Sequence, residues 1–109
     1  VKKDIKKSIE FIRSTAKMGE KKAQRLLGEM YFNGKGLLIK DYKKAHYWLE
    51  KSATQNDSIA QIKLGNMYQN GWGIPKDFEK ALQWYKKAFA IGNKKAQKYI
   101  EEIQTLIGK

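Results

Sequence analysis

The sequence predicts an all-α protein built as a stack of antiparallel helix pairs. Three observations predict it: a long segment recurs at a fixed offset, each copy carries apolar residues at helical period, and aspartate and glycine punctuate the copies at matching places. Residues 23–36 read AQRLLGEMYFNGKG and residues 60–73 read AQIKLGNMYQNGWG, agreeing at nine of fourteen positions with an offset of 37 (60 − 23). A second segment occurs three times, as DIKKSIEFIRSTAKMGE from Asp4, DYKKAHYWLEKSATQND from Asp41 and DFEKALQWYKKAFAIGN from Asp77. Its offsets are 37 (41 − 4) and 36 (77 − 41). The one-residue difference falls between the second glycine of the first segment and the aspartate, where a loop absorbs it without changing the register of either helix.

Taken in order, the chain opens on a copy of the second segment, expected as a helix over 3–18. A first-type helix follows over 20–32, with Ala23, Leu27, Met30 and Tyr31 on one stripe at about 100° per residue. Gly28 lies beside that stripe, where it costs about 1 kcal/mol relative to alanine, so a neighbouring helix is expected to approach closely there. The NGKG at 33–36 reads as a turn rather than a phosphate cradle, because it lacks the Gly-rich spacing after a strand and recurs as NGWG at 70–73. A second-type helix over 41–54 carries Tyr42, Ala45, Trp48, Leu49 and Ser52 on its inner face. The next pair repeats both patterns over 58–69, with Ala60, Leu64, Gly65, Met67 and Tyr68, and over 77–90, with Phe78, Ala81, Trp84, Tyr85 and Ala88.

The last element, over 94–107, is of the first type, but Glu101 replaces its glycine and Gln104 its tyrosine, as suits a polar cap on a stack. Asp4, Asp41 and Asp77 are expected to open their helices, and Gly19, Asn56 and Gly92 to close them in the left-handed conformation. The expected organisation is a single domain, with a partial unit over 1–19, repeats over 20–56 and 57–92, and a capping helix over 93–109. Because the first helix lacks the partner that precedes it in the period, the chain reads as the C-terminal part of a longer array or as a short one that begins mid-repeat.

The pattern A-x-x-x-L-G-x-x-Y-x-x-G-x-G followed by D-x-x-K-A-x-x-W-x-x-K-[SA] resembles the Sel1-like repeat, a relative of the tetratricopeptide repeat. It is matched at Ala23, Leu27, Gly28, Tyr31, Gly34, Gly36, Asp41, Lys44, Ala45, Trp48 and Lys51, and again from Ala60 to Lys87. The resemblance implies a right-handed α-solenoid that serves as an adaptor in protein assembly. Bacterial members of the family are often exported, and some resemble partners or immunity proteins of secreted toxins. On that ground an exported location is favoured over a cytoplasmic one. The disulfide-clamped branch of the family is excluded, because the chain has no cysteine.

Composition narrows the chemistry. The chain has 109 residues, 23 Lys+Arg against 11 Asp+Glu, a net charge of +12, one histidine and one proline. No apolar run approaches the ~18 residues needed to span a bilayer. His46 falls in a column occupied by Ile9 and Leu82 in the other copies, so it reads as a packing residue rather than a base. Glu101 with Glu102, and Asp77 with Glu79, are spaced off a common helix face and make no acid–base couple. No catalytic residue, metal site or cofactor is therefore expected, and the protein reads as non-catalytic. The alternative reading is a lysine-rich binder of nucleic acid or of an acidic membrane surface. It ranks second because only Arg13 and Arg25 are arginines and no run of exposed aromatics interleaves the lysines. Any nucleic-acid binding is expected to be weak, indifferent to sequence and lost steeply as salt rises in a titration.

The partner is expected to be a protein or peptide with an acidic and apolar surface, bound on the face of the first-type helices opposite Leu27. That face holds Lys22, Arg25, Glu29, Phe32 and Asn33 in the first unit and Ile59, Ile62, Asn66, Gln69 and Asn70 in the second, with Lys95, Lys98 and Glu102 in the cap. Phe32, Ile59 and Ile62 are expected to form an apolar floor, the amides to meet a bound backbone, and the lysines to flank it. Trp72 is a second candidate anchor, on the loop edge, because its column holds Lys35 in the other unit.

Overall fold

A computed structural model describes residues 2–35 and 38–108, apart from the side chains of Lys2 and Lys3, so Gly36 lies outside the described residues. Six helices follow one another: α1 (Lys2–Lys17), α2 (Lys21–Asn33), α3 (Tyr42–Ala53), α4 (Ser58–Asn70), α5 (Phe78–Ala90) and α6 (Ala96–Ile107). No strand occurs among the described residues. Each helix packs on the next, which draws the molecule out into a stack of 50 × 25 × 20 Å.

Carboxylates cap α2, α3, α4 and α5. The Asp41 side chain accepts from the Lys44 N–H and that of Asp77 from the Lys80 N–H, at 3.1 and 3.0 Å, and so each satisfies an orphan donor. Asp57 caps α4 in the same way through the Ala60 N–H, and Glu20 caps α2 through the Lys22 N–H. Asp4 departs from the expectation: α1 begins before it, so its carboxylate lies in the first turn, near the positive end of the helix dipole, rather than at the cap. The closing residues Gly19, Asn56 and Gly92 take φ of +98°, +69° and +102°, as a left-handed helix terminus requires.

The helix-interior glycines mark where each pair closes. A Cβ on Gly28 would lie 2.7 Å from Leu49 Cγ, and one on Gly65 2.3 Å from Tyr85 Cε1. Around these contacts Leu27, Leu49, Leu64 and Met67 fill one buried cluster, and Tyr85, Ala88, Ala96 and Ile103 fill the next.

A buried amide ties each repeat to its predecessor. Gln24 Nε2 donates to the Ala16 carbonyl and Gln61 Nε2 to the Ala53 carbonyl, at 3.1 and 3.0 Å. Gln24 Oε1 also accepts from Gln55 Nε2 at 2.8 Å, but the counterpart of Gln55 one repeat on is Ile91 (55 + 36), and Gln61 Oε1 has no hydrogen-bond partner among the described residues. Ile91 is 48% exposed, so little packing is lost by replacing it. Ile91→Gln should therefore stabilise the fold by about 1 kcal/mol, read as a higher urea midpoint at unchanged slope. A lower midpoint would contradict the bonding scheme.

Some of the lysine excess is structural. Lys44 Nζ lies 5.5 Å from the Tyr31 ring and Lys80 Nζ 5.5 Å from the Tyr68 ring, while Lys40 and Lys76 cover Tyr42 and Phe78. The same cation–π contacts thus recur in both repeats and tie the start of each second helix to its own unit.

Candidate protein-binding face

The first-type helices α2, α4 and α6 share one side of the stack, and the two grooves between them differ. Between α2 and α4 the groove is filled by charge. Arg25 Nε donates to Asp57 Oδ2 at 3.0 Å and Arg25 Nη1 to Glu29 Oε1 at 3.3 Å, while Lys63 Nζ stands 3.7 Å from Glu29 Oε2. Arg25 and Glu29, expected as free wall residues, are instead engaged with each other and with the cap of α4. A largely buried guanidinium needs such partners.

Between α4 and α6 the groove is open. It forms a cleft of about 590 Å³ to which α4 contributes Ile59, Ile62, Lys63 and Asn66, the turn before α6 contributes Asn93 and Lys95, and α6 contributes Lys98 and Tyr99. The expected residues Ile59, Ile62, Asn66, Lys95 and Lys98 are thus brought together here. Ile59 is 42% exposed, whereas Ile62 is only 9% exposed and also packs in the core with Tyr85 and Ile103. Ile62 is therefore as much a fold residue as a surface one, and a charge there would unsettle the seat of α6.

The amides of α4 are held from behind. The Tyr85 hydroxyl lies 2.8 Å from Asn66 Oδ1 and 2.7 Å from Gln69 Oε1. A single hydroxyl proton serves only one of these, so the other amide turns its NH₂ to the phenolic oxygen. Tyr85 is fully buried and its ring stacks on that of Tyr99 at 5.2 Å. Burial pushes its hydroxyl well above the usual tyrosine range, with smaller contributions from Tyr99 and Glu102, and it stays protonated. Asn70 Nδ2 donates to the Asn66 carbonyl at 2.9 Å. Asn66 and Gln69 are thus oriented groups rather than free side chains.

Other expected members of the face lie elsewhere. Phe32 corresponds to Gln69 one repeat on, seven residues past the Ile62 position (69 − 62), which is about 10 Å along parallel helices. Its ring packs against Tyr42 at 5.0 Å and Trp72 at 5.3 Å, and not beside the isoleucines. Trp72, in turn, packs on the preceding repeat through Phe32 and Tyr42, with 36% exposure, so it joins two repeats at the loop edge. Lys22 and Asn33 are exposed on α2, outside the cleft.

Three lining residues were missed: Lys63, Tyr99 and Asn93. A wheel centred on one helix selects the residues pointing straight out, whereas a cleft between two parallel helices is lined by the flanks of both, which is where Lys63 and Tyr99 lie. Asn93 was legible through its column, which holds Glu20 and Asp57 in the earlier units. His46 lies against Tyr68, Nε2 to hydroxyl at 3.2 Å and ring edge to face, in the packing role read for it. Among the described residues no group of three or more His, Asp or Glu could hold a metal ion, and no helix is long and apolar enough to cross a membrane.

Paired helices at a 36–37-residue period, stacked through glycine contacts and buried glutamines, define an α-solenoid repeat protein. The chain belongs to the Sel1 repeat family, whose model matches residues 1–20, 21–57 and 58–93. It is similar to a Sel1 repeat protein from Oxalobacter formigenes, with a TM-score of 0.83 and 39% identity over 86% of this chain and 70% of that one. A protective antigen of uropathogenic Escherichia coli strains, displaying the SLR fold, gives a TM-score of 0.80 and 39% identity over 84% of this chain, which spans 20% of that protein. The cysteine-rich protein B of Helicobacter pylori gives 0.81 and 26% over 86% of this chain and 70% of its own. No curated protein matches. Sel1 repeat proteins generally mediate protein–protein interactions and are typically non-catalytic scaffolds.

Proposed function

We propose that this chain is a non-catalytic adaptor that holds a segment of a partner protein in the cleft between α4 and α6. The observation that carries the reading is the lining itself, an apolar floor of Ile59, Ile62 and Tyr99 rimmed by three lysines and containing no carboxylate. Such a surface desolvates an apolar anchor at its centre and steers acidic flanks at its rim. The setting we assign to it is a bacterial one, as an immunity partner of a secreted toxin or an export-associated partner, in keeping with the bacterial sources of the similar structures.

The test is site-specific photocrosslinking in the source cell. A photoreactive residue at position 98 or 59 should capture one protein, and the same residue at position 83, exposed on α5, should capture none. Capture from position 83 alone would place the partner on the other side of the stack and overturn the reading.

A further inference from the structure

The two grooves of the first-helix face are related by the repeat, and comparing them position by position shows what the open one lacks. Arg25, Glu29 and Asp57 of the filled groove correspond to Ile62, Asn66 and Asn93 of the open one (25 + 37, 29 + 37, 57 + 36). In the filled groove both carboxylates are in use: Asp57 and Glu29 bind Arg25, and Glu29 also faces Lys63. In the open groove both have become amides, the guanidinium has become an isoleucine, and Lys63, Lys95 and Lys98 line a cleft with no acid in it. The Asn93 side chain is engaged locally, its Oδ1 accepting from the Lys95 N–H and its Nδ2 donating to Ser58 Oγ. It compensates none of the positive charge.

We infer that the α4–α6 cleft is an ion-pair groove whose own carboxylates have been replaced by amides, and that its ligand is a partner-protein segment that supplies them. Two acidic side chains flanking one apolar side chain meet the site: the apolar group covers Ile59 and Ile62, where the arginine would lie, and the carboxylates reach Lys63, Lys95 and Lys98. This rests on the reading of the face given above and narrows it to one cleft and one charge pattern. Carboxylates bring both charge-assisted hydrogen bonds and steering to Lys95 and Lys98, which face no acid in the cleft, and a second partner to Lys63, whose Nζ stands 3.7 Å from Glu29 Oε2.

The repeat itself supplies the test, because the missing acids can be put back. The probe is a labelled short peptide with a leucine between two pairs of glutamates, followed by fluorescence anisotropy on the full chain. It should bind, and its glutamine analogue should bind at least about tenfold more weakly. Asn66→Glu with Asn93→Asp should weaken the glutamate peptide by a similar factor while holding or raising the melting temperature, since the new carboxylates pair with the cleft lysines. A second variant, Lys95→Gln with Lys98→Gln, keeps the test open if the first fails to fold, and should show the same loss. Equal binding of the two peptides, undiminished binding by either variant, or competition by inorganic phosphate as strong as by the peptide would each overturn the inference. If the natural partner crosslinks from position 98 yet binds the Asn66→Glu, Asn93→Asp protein undiminished, the adaptor reading stands and this one fails.

Discussion

Gly65→Val should lower the unfolding free energy by about 3 kcal/mol, several times the effect of an ordinary point substitution. The reason is a single contact. A Cβ at residue 65 would lie 2.3, 2.6 and 2.8 Å from three atoms of the Tyr85 ring, and that ring has nowhere to go. It is fully buried, stacked on Tyr99, and held at its hydroxyl by Asn66 and Gln69. Valine brings two further methyl groups into the same space, so α4 and α5 must part or the tyrosine must leave. The small gain in helix propensity over glycine, under about 1 kcal/mol, does not offset this. Guanidinium unfolding of the two proteins side by side measures it. The effect should extend to function, since displacing Tyr85 releases Asn66 and Tyr99, both of which line the cleft. An unchanged melting temperature would sink the packing account.

Ile59→Asp should weaken binding of the partner by at least ~2 kcal/mol, roughly thirtyfold, with the fold intact. Ile59 is 42% exposed on the first turn of α4, so the fold tolerates a polar side chain there. In the proposed complex the same position would lie at the desolvated centre, and an aspartate would occupy the lysines that the partner's acids need. Ile62 is a poorer probe, because its side chain is also part of the α4–α6 core and a loss of binding would be confounded with a loss of structure. Lys22→Ala, on α2 and outside the cleft, should cost under ~1 kcal/mol and mostly at low salt. Trp72→Ala separates the two candidate surfaces: it should reduce stability, through the contacts with Phe32 and Tyr42, and leave affinity unchanged. Isothermal titration of the partner into the three variants reads the affinities, and the thermal melting of the Trp72→Ala protein reads its stability.

The helix order was legible because two strong periodicities agree, one of about 3.6 residues within each helix and one of 36–37 between units. The tight contacts at Gly28 and Gly65 were legible too, since a glycine kept inside a helix in two copies needs a steric reason. The site was legible in part. The period of a single helix picks out one face, and five of the residues it selects converge in the cleft, although Ile62 among them is also buried in the core. A wheel does not show which outward groups bind one another, however. Arg25 and Glu29 looked free until Asp57, thirty-two residues beyond Arg25, was placed beside them by the fold. Nor does a wheel carry depth along the axis, so Phe32 appeared to neighbour Ile62 although the parallel helices set them about two turns apart.

Backbone amide chemical-shift mapping on titrating the partner, or the glutamate-flanked peptide, into the labelled chain tests the central claim most directly. The account predicts the largest shifts at Ile59, Lys63, Asn66, Lys98 and Tyr99, with little change in α3 or in the turn around Trp72. Shifts confined to residues 38–41 and 71–77, with Ile59 and Lys98 unmoved, would put the partner on the loop edge and contradict it.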